Sequence, residues 1–70
     1  MKKQIIATCK GLANGAQNLW EFELSEYISI GKGLSTNNLL IFKDDCTFTA
    51  GVQYACLFKR GKLVEMTLLA

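Results

Sequence analysis

Hydrophobic and polar positions alternate most clearly toward the C-terminal end of the chain. Cys46, Phe48 and Ala50 alternate with Thr47 and Thr49. After Gly51 the same register continues through Val52, Tyr54, Cys56 and Phe58. A period of two marks a strand with one buried face. Glycine interrupts such a run where a strand bends or bulges. The pattern therefore predicts one long strand bent at Gly51, or two strands meeting at a corner there. Asp44-Asp45 reads as a tight reversal before it, and Lys59-Arg60-Gly61-Lys62 as a charged hairpin turn after it. Val64, Met66 and Leu68 then alternate with Glu65 and Thr67 to give the last strand.

The N-terminal half carries weaker signals of the same kind. Lys3 to Lys10 is rich in small and β-branched residues and predicts a first strand, ended by Gly11. Asn14-Gly15 predicts a turn, because both residue types tolerate positive φ. Trp20, Phe22 and Leu24 alternate with Glu21, Glu23 and Ser25, which predicts a second strand over residues 19–24. Beyond it two readings compete. The alternation runs on through Ile28 and Ile30, but at 100° per residue most of the same apolar side chains also fall on one helical face. Ser25 would cap such a helix, and Gly31 or Gly33 would stop it. Gly31 to Asn38 reads as loop, with Ser35 or Thr36 as a second helix cap. Leu39 to Phe42 is short enough for a buried strand.

The sum is a single small domain over residues 1–70. The expected class is mostly β, either all-β or α+β. About five strands would form an antiparallel sheet or small barrel with a C-terminal meander, with one short helix within 25–38 as the competing element. An edge strand left exposed would be open to another chain.

Composition narrows the chemistry. The chain has 70 residues, half of them hydrophobic, so its core is thin and some apolar surface is expected to stay uncovered. Eight basic and six acidic residues leave a net charge of only +2, far from the load of a protein that coats nucleic acid. There is no histidine, the commonest general base and metal ligand. The three cysteines, Cys9, Cys46 and Cys56, form no CxxC pair, so no zinc site closes within the chain and no cofactor is expected. They are expected to pack as reduced thiols, with a Cys46–Cys56 disulfide as the alternative. The apolar stretch after Met1-Lys2-Lys3 stops at Lys10, too short for a secretory h-region. No stretch reaches the length of a membrane helix, and a cytoplasmic protein is expected.

Candidate sites are few. Gly31 to Thr36 (GKGLST) has the residues of a phosphate loop in the wrong order, since Lys32 precedes the second glycine. It reads as a turn, with a loose anion nest beside Lys32 as the alternative. Lys59, Arg60 and Lys62 place three cations at one hairpin tip. Lys2, Lys3 and Lys10 would join them in one basic face if the first and last strands pair. Glu21 and Glu23 share a strand face as the acidic counterpart, with Glu26, Asp44 and Asp45 nearby. Tyr54 and Phe58 share the core register with Cys56. Trp20, the only tryptophan, fits a core anchor, and it is also the residue type most enriched at binding hot spots. Cys9 stands beside Lys10, but neighbouring strand residues point to opposite faces, so no activated nucleophile is formed.

These readings favour a non-catalytic module that binds another protein, with a nucleoprotein complex among the candidate partners. Its expected contact residues are Trp20, Glu21, Glu23, Lys32, Lys59, Arg60 and Lys62. Phage and mobile-element inhibitors of host defence complexes, anti-CRISPR proteins among them, are often built at this size without catalytic residues. The rival readings are a small barrel that binds RNA or single-stranded DNA through the basic face, and a homo-oligomeric subunit assembled through a sheet edge.

Overall fold

The computed structural model describes residues 2–13, 17–43 and 48–69. The Asn14-Gly15 turn, the Asp44-Asp45 reversal and Cys46 with its suggested disulfide lie outside them. Five strands follow in chain order: β1 (Lys2–Leu12), β2 (Leu19–Gly31), β3 (Leu34–Phe42), β4 (Gln53–Lys59) and β5 (Lys62–Leu68). They form one antiparallel sheet in the order β3-β2-β1-β4-β5. The protein is a mostly β small domain, and no helix occurs among the described residues.

The helix suggested within 25–38 is replaced by strand and turn. Residues 25–31 continue β2, and β3 begins at Leu34, five residues before the predicted strand. The hairpin between them turns on Lys32-Gly33, with φ of 54° and 74° and Gly31 paired to Leu34. Two successive residues at positive φ make the two-residue hairpin turn whose twist matches that of the strands. Arg60-Gly61, at 55° and 78°, joins β4 to β5 in the same way. Glycine at the second turn position and two strands of β-branched and aromatic residues outweigh the helical spacing of the apolar side chains.

The meander expected at the C-terminal end is also corrected. Strands β1 to β3 are sequential neighbours, and β4 returns to lie beside β1, which is a Greek-key order with β5 added outside. The first and last strands do not pair, because β4 stands between them. Nor does β4 extend back through Gly51. Val52 N–H donates to the Thr49 carbonyl at 3.1 Å, and Gly51 has φ of 90°, so residues 49–52 close a turn. The Gly51 N–H donates to the Cys9 carbonyl at 2.8 Å and the Cys9 N–H to the Val52 carbonyl at 2.9 Å. These bonds tie the end of the connection to β1 before β4 begins.

The core lies on one face. Ile5, Ala7 and Cys9 of β1, Trp20, Phe22 and Leu24 of β2, and Cys56 and Phe58 of β4 are all buried. The period-two alternation predicts Trp20, Phe22, Leu24, Cys56 and Phe58 among them; in β1, Ile5, Ala7 and Cys9 take the inward positions. No helix among the described residues covers this face. Phe48, in the connection from β3 to β4, packs on it instead, among three rings. Phe48 meets Phe22 at 5.1 Å, Trp20 at 5.5 Å and Tyr54 at 5.5 Å, each nearly edge to face. Such pairs add ~0.5–1.5 kcal/mol each beyond the area they bury. The Trp20 indole N–H donates to the Lys43 carbonyl at 3.4 Å, at the start of the same connection.

Phe48→Ala is expected to destabilise the domain by about 3 kcal/mol, near the low end for loss of a large aromatic side chain because Phe48 is only half-buried. Urea unfolding followed by Trp20 fluorescence measures this directly. A loss below about 1 kcal/mol would mean that the connection does not hold the core face.

A candidate basic groove

The largest offset in the sheet's register falls in the second half of β2. Between the pairs Glu23↔Asn38 and Ile28↔Thr36, five steps along β2 match only two along β3. The surplus residues bend β2 sharply. The Ser25 hydroxyl accepts a bond from the Ile6 N–H at 3.3 Å, just past the last β1–β2 pair at Ala7↔Leu24. A serine side chain thus serves the β1 amide where the partner backbone turns away.

The bend carries the β2–β3 hairpin over toward the β4–β5 hairpin. Their approach is close enough that a Cβ on Gly61 would stand 3.0 Å from the Ser29 carbonyl oxygen. Between the two hairpins and the start of β1 lies an open groove of about 920 Å³. That is at the upper end for small-molecule pockets, which run ~300–1,000 Å³. Its floor is the outer margin of the core, Ile5, Ile28 and Phe58. Its rim carries Lys2, Lys3, Arg60 and Lys62, with Tyr27 on the β2 side. Tyr27 is 68% exposed and Ile30 60% exposed, so both present large apolar area to solvent.

The pairing of β1 with β4 is what assembles the cations. Lys2 stands opposite Lys59 and Lys3 opposite Phe58, which brings the first residues of the chain to the tip formed by Arg60 and Lys62. One acid answers them directly: Lys3 Nζ meets Glu26 Oε1 at 2.7 Å. Both side chains are about half exposed, so the pair itself contributes at most ~1 kcal/mol. The rim retains a net positive charge.

The contact residues suggested by the sequence divide among several places. Arg60 and Lys62 line the groove together with Lys2 and Lys3. Lys59 pairs with Lys2 beside it. Lys32 occupies the β2–β3 turn. Glu21 and Glu23 lie on the opposite face of the sheet from the core, and Glu23 meets Lys10 at 3.5 Å. Lys10 therefore does not join the basic rim. Trp20 is buried in the core cluster. Tyr27, Ile28 and Ile30 were missed as groove residues. Their signal was the break in alternation at Glu26, which marks the bend.

Cys9 and Cys56 are buried free thiols. Burial pushes the Cys56 thiol above its ordinary value, the direction opposite to activation. Folded protein at neutral pH is accordingly expected to leave Cys56 unalkylated by iodoacetamide over a period in which urea-unfolded protein reacts fully; peptide mass spectrometry reads the difference. Gly61→Ala is expected to cost roughly 1–2 kcal/mol from positive φ alone, with a further penalty from the Ser29 carbonyl. A loss confined to about 1–2 kcal/mol in urea unfolding would show that the two hairpins do not meet.

Compared with protein-family models, curated proteins and solved structures, the chain matches none.

Proposed function

We propose that this protein is a binding module without catalytic activity, and that the groove between its two hairpins receives an acidic, partly apolar segment of another protein. The observation that carries this reading is the combination of four cations on the rim with an apolar floor. Carboxylates flanking hydrophobic side chains answer both features at once. The cations steer the encounter and fix orientation, while burial of the apolar anchors against Ile5, Ile28 and Phe58 supplies affinity. A cytoplasmic protein that blocks another by occupying its docking segment needs no chemistry of its own. A phage or mobile-element inhibitor of a host defence complex, such as an anti-CRISPR protein, would work in this way.

One observation favours a second reading. Tyr27 stands exposed beside the cations, and an exposed ring beside positive charge is how proteins hold single-stranded nucleic acid. The apolar floor gives the protein segment the advantage, since a phosphate chain gains nothing from Ile5 or Ile28.

A fluorescently labelled peptide of alternating glutamate and leucine, titrated with the protein at low salt, tests the proposal against a mixed-sequence oligonucleotide. The peptide is expected to bind more tightly. Its affinity should fall about tenfold on Arg60→Glu and weaken as salt shortens the screening length below ~10 Å. Tighter binding of the oligonucleotide, with a steep salt slope, would replace the first reading by the second. Failure of both probes to bind at low salt would remove the groove as a site.

A further inference from the structure

The two free edges of the sheet differ in a way that points to a specific occupant. Edge strands of monomeric proteins are commonly protected by charge, bulges or proline. Strand β5 has such protection: Lys62 and Glu65 lie on it, and the register slips at Val64. Strand β3 has none over its C-terminal half. Its nine residues, LSTNNLLIF, include no charge and no proline. Leu39 and Ile41 pack against the core, so Leu40 and Phe42 project to the opposite face, where they are 55% and 73% exposed.

Among the described residues no strand pairs with the outer side of β3. The Lys43 N–H donates to the Asn18 carbonyl at 2.9 Å, which continues the β2–β3 ladder. By alternation the odd-numbered residues here turn their amides toward β2. Leu40 and Phe42 turn theirs outward. At Asn38, the next outward position, the N–H is already taken by Thr36 Oγ1 at 3.1 Å. The stretch available for pairing is therefore short and centred on Ile41.

We propose that β3 pairs antiparallel with β3 of a second copy of this chain, about a two-fold axis at Ile41. That register sets Leu40 of each copy opposite Phe42 of the other, so apolar meets apolar at both positions. Each such pair exchanges two backbone hydrogen bonds. The uncharged strand lets a copy pair with itself without opposing like charges. Among the described residues the nearest acids, Glu21 and Glu23, lie on β2, and the β2 strands of the two copies would be three strand spacings apart, ~14 Å. That exceeds the ~8 Å screening length at physiological salt. Strand β5 lacks this self-compatibility, because its central Glu65 would meet Glu65.

Sedimentation analysis of the full chain across a wide concentration range tests the pairing. The parent is expected to pass from the 7.8 kDa of one chain to twice that mass as concentration rises. Leu40→Lys should weaken the dimer at least about tenfold by placing like charges across the axis. Its own chain offers Glu21 as cross-strand neighbour, so the variant has a partner for the new charge. Phe42→Lys is the second variant should the first fail to fold by circular dichroism. Val64→Lys on β5 should leave the dimer intact. A parent that stays monomeric throughout, or a dimer that withstands folded lysine variants on β3, would overturn the proposal. Dissociation by Val64→Lys alone would move the interface to β5 and overturn it as well.

Discussion

Phe48 wedged against Trp20, Phe22 and Tyr54 is the interaction on which the architecture depends. A single-layer sheet has an apolar face that its own strands cannot fully cover. In larger domains a helix or second sheet takes that role. Here the cover comes from the connection between β3 and β4. Because β3 is the outer strand and β4 lies beyond β1, the chain must cross the sheet to reach its place. Crossing on the core face converts a topological necessity into a lid. The Greek-key path and the burial of the core are thus one event, and the edge-to-face rings fix where the crossing chain lands.

Curling completes the enclosure at the other end, and it carries an electrostatic consequence. The bend in β2 draws the two hairpins together while β1–β4 pairing delivers Lys2 and Lys3 to the same place. Positive charges far apart in the chain become neighbours around one concavity. In water their repulsion is modest, about 1 kcal/mol for a pair at 4 Å, so the fold tolerates it. An anion entering the groove would relieve that repulsion and meet an apolar floor as well. Glu26 shows the principle on a small scale, since it already holds Lys3.

Much of the sheet was legible in the sequence, because its signals are local. Alternation identified Trp20, Phe22, Leu24, Cys56 and Phe58 as core residues, and Arg60-Gly61 as a hairpin tip. What stayed illegible depends on partners remote in sequence. Residues 25–30 satisfy both a strand and a helix period. Only pairing with β3 and closure of the Lys32-Gly33 turn decide between them. The alternation through Gly51 holds for Tyr54, Cys56 and Phe58 in β4, but Ala50 is exposed in the turn and Phe48 packs on the core face without extending β4. Strand order was equally hidden. The basic rim was anticipated from Lys2, Lys3, Arg60 and Lys62, but through pairing of the first and last strands, whereas β4 brings them together.

The groove and the open edge sit at opposite ends of β3. Gly31, on the groove wall, pairs with Leu34 at the start of the strand, while Leu40 and Phe42 lie near its finish. An occupant at one place therefore need not displace an occupant at the other. Two copies joined through β3 would carry two grooves in a fixed relation. A partner with two acidic segments of suitable spacing would then bind the second as an intramolecular step, gaining affinity without any new contact. For a domain this small, with a thin core and an open groove, linking two modest sites is a more accessible route to tight binding than deepening either one.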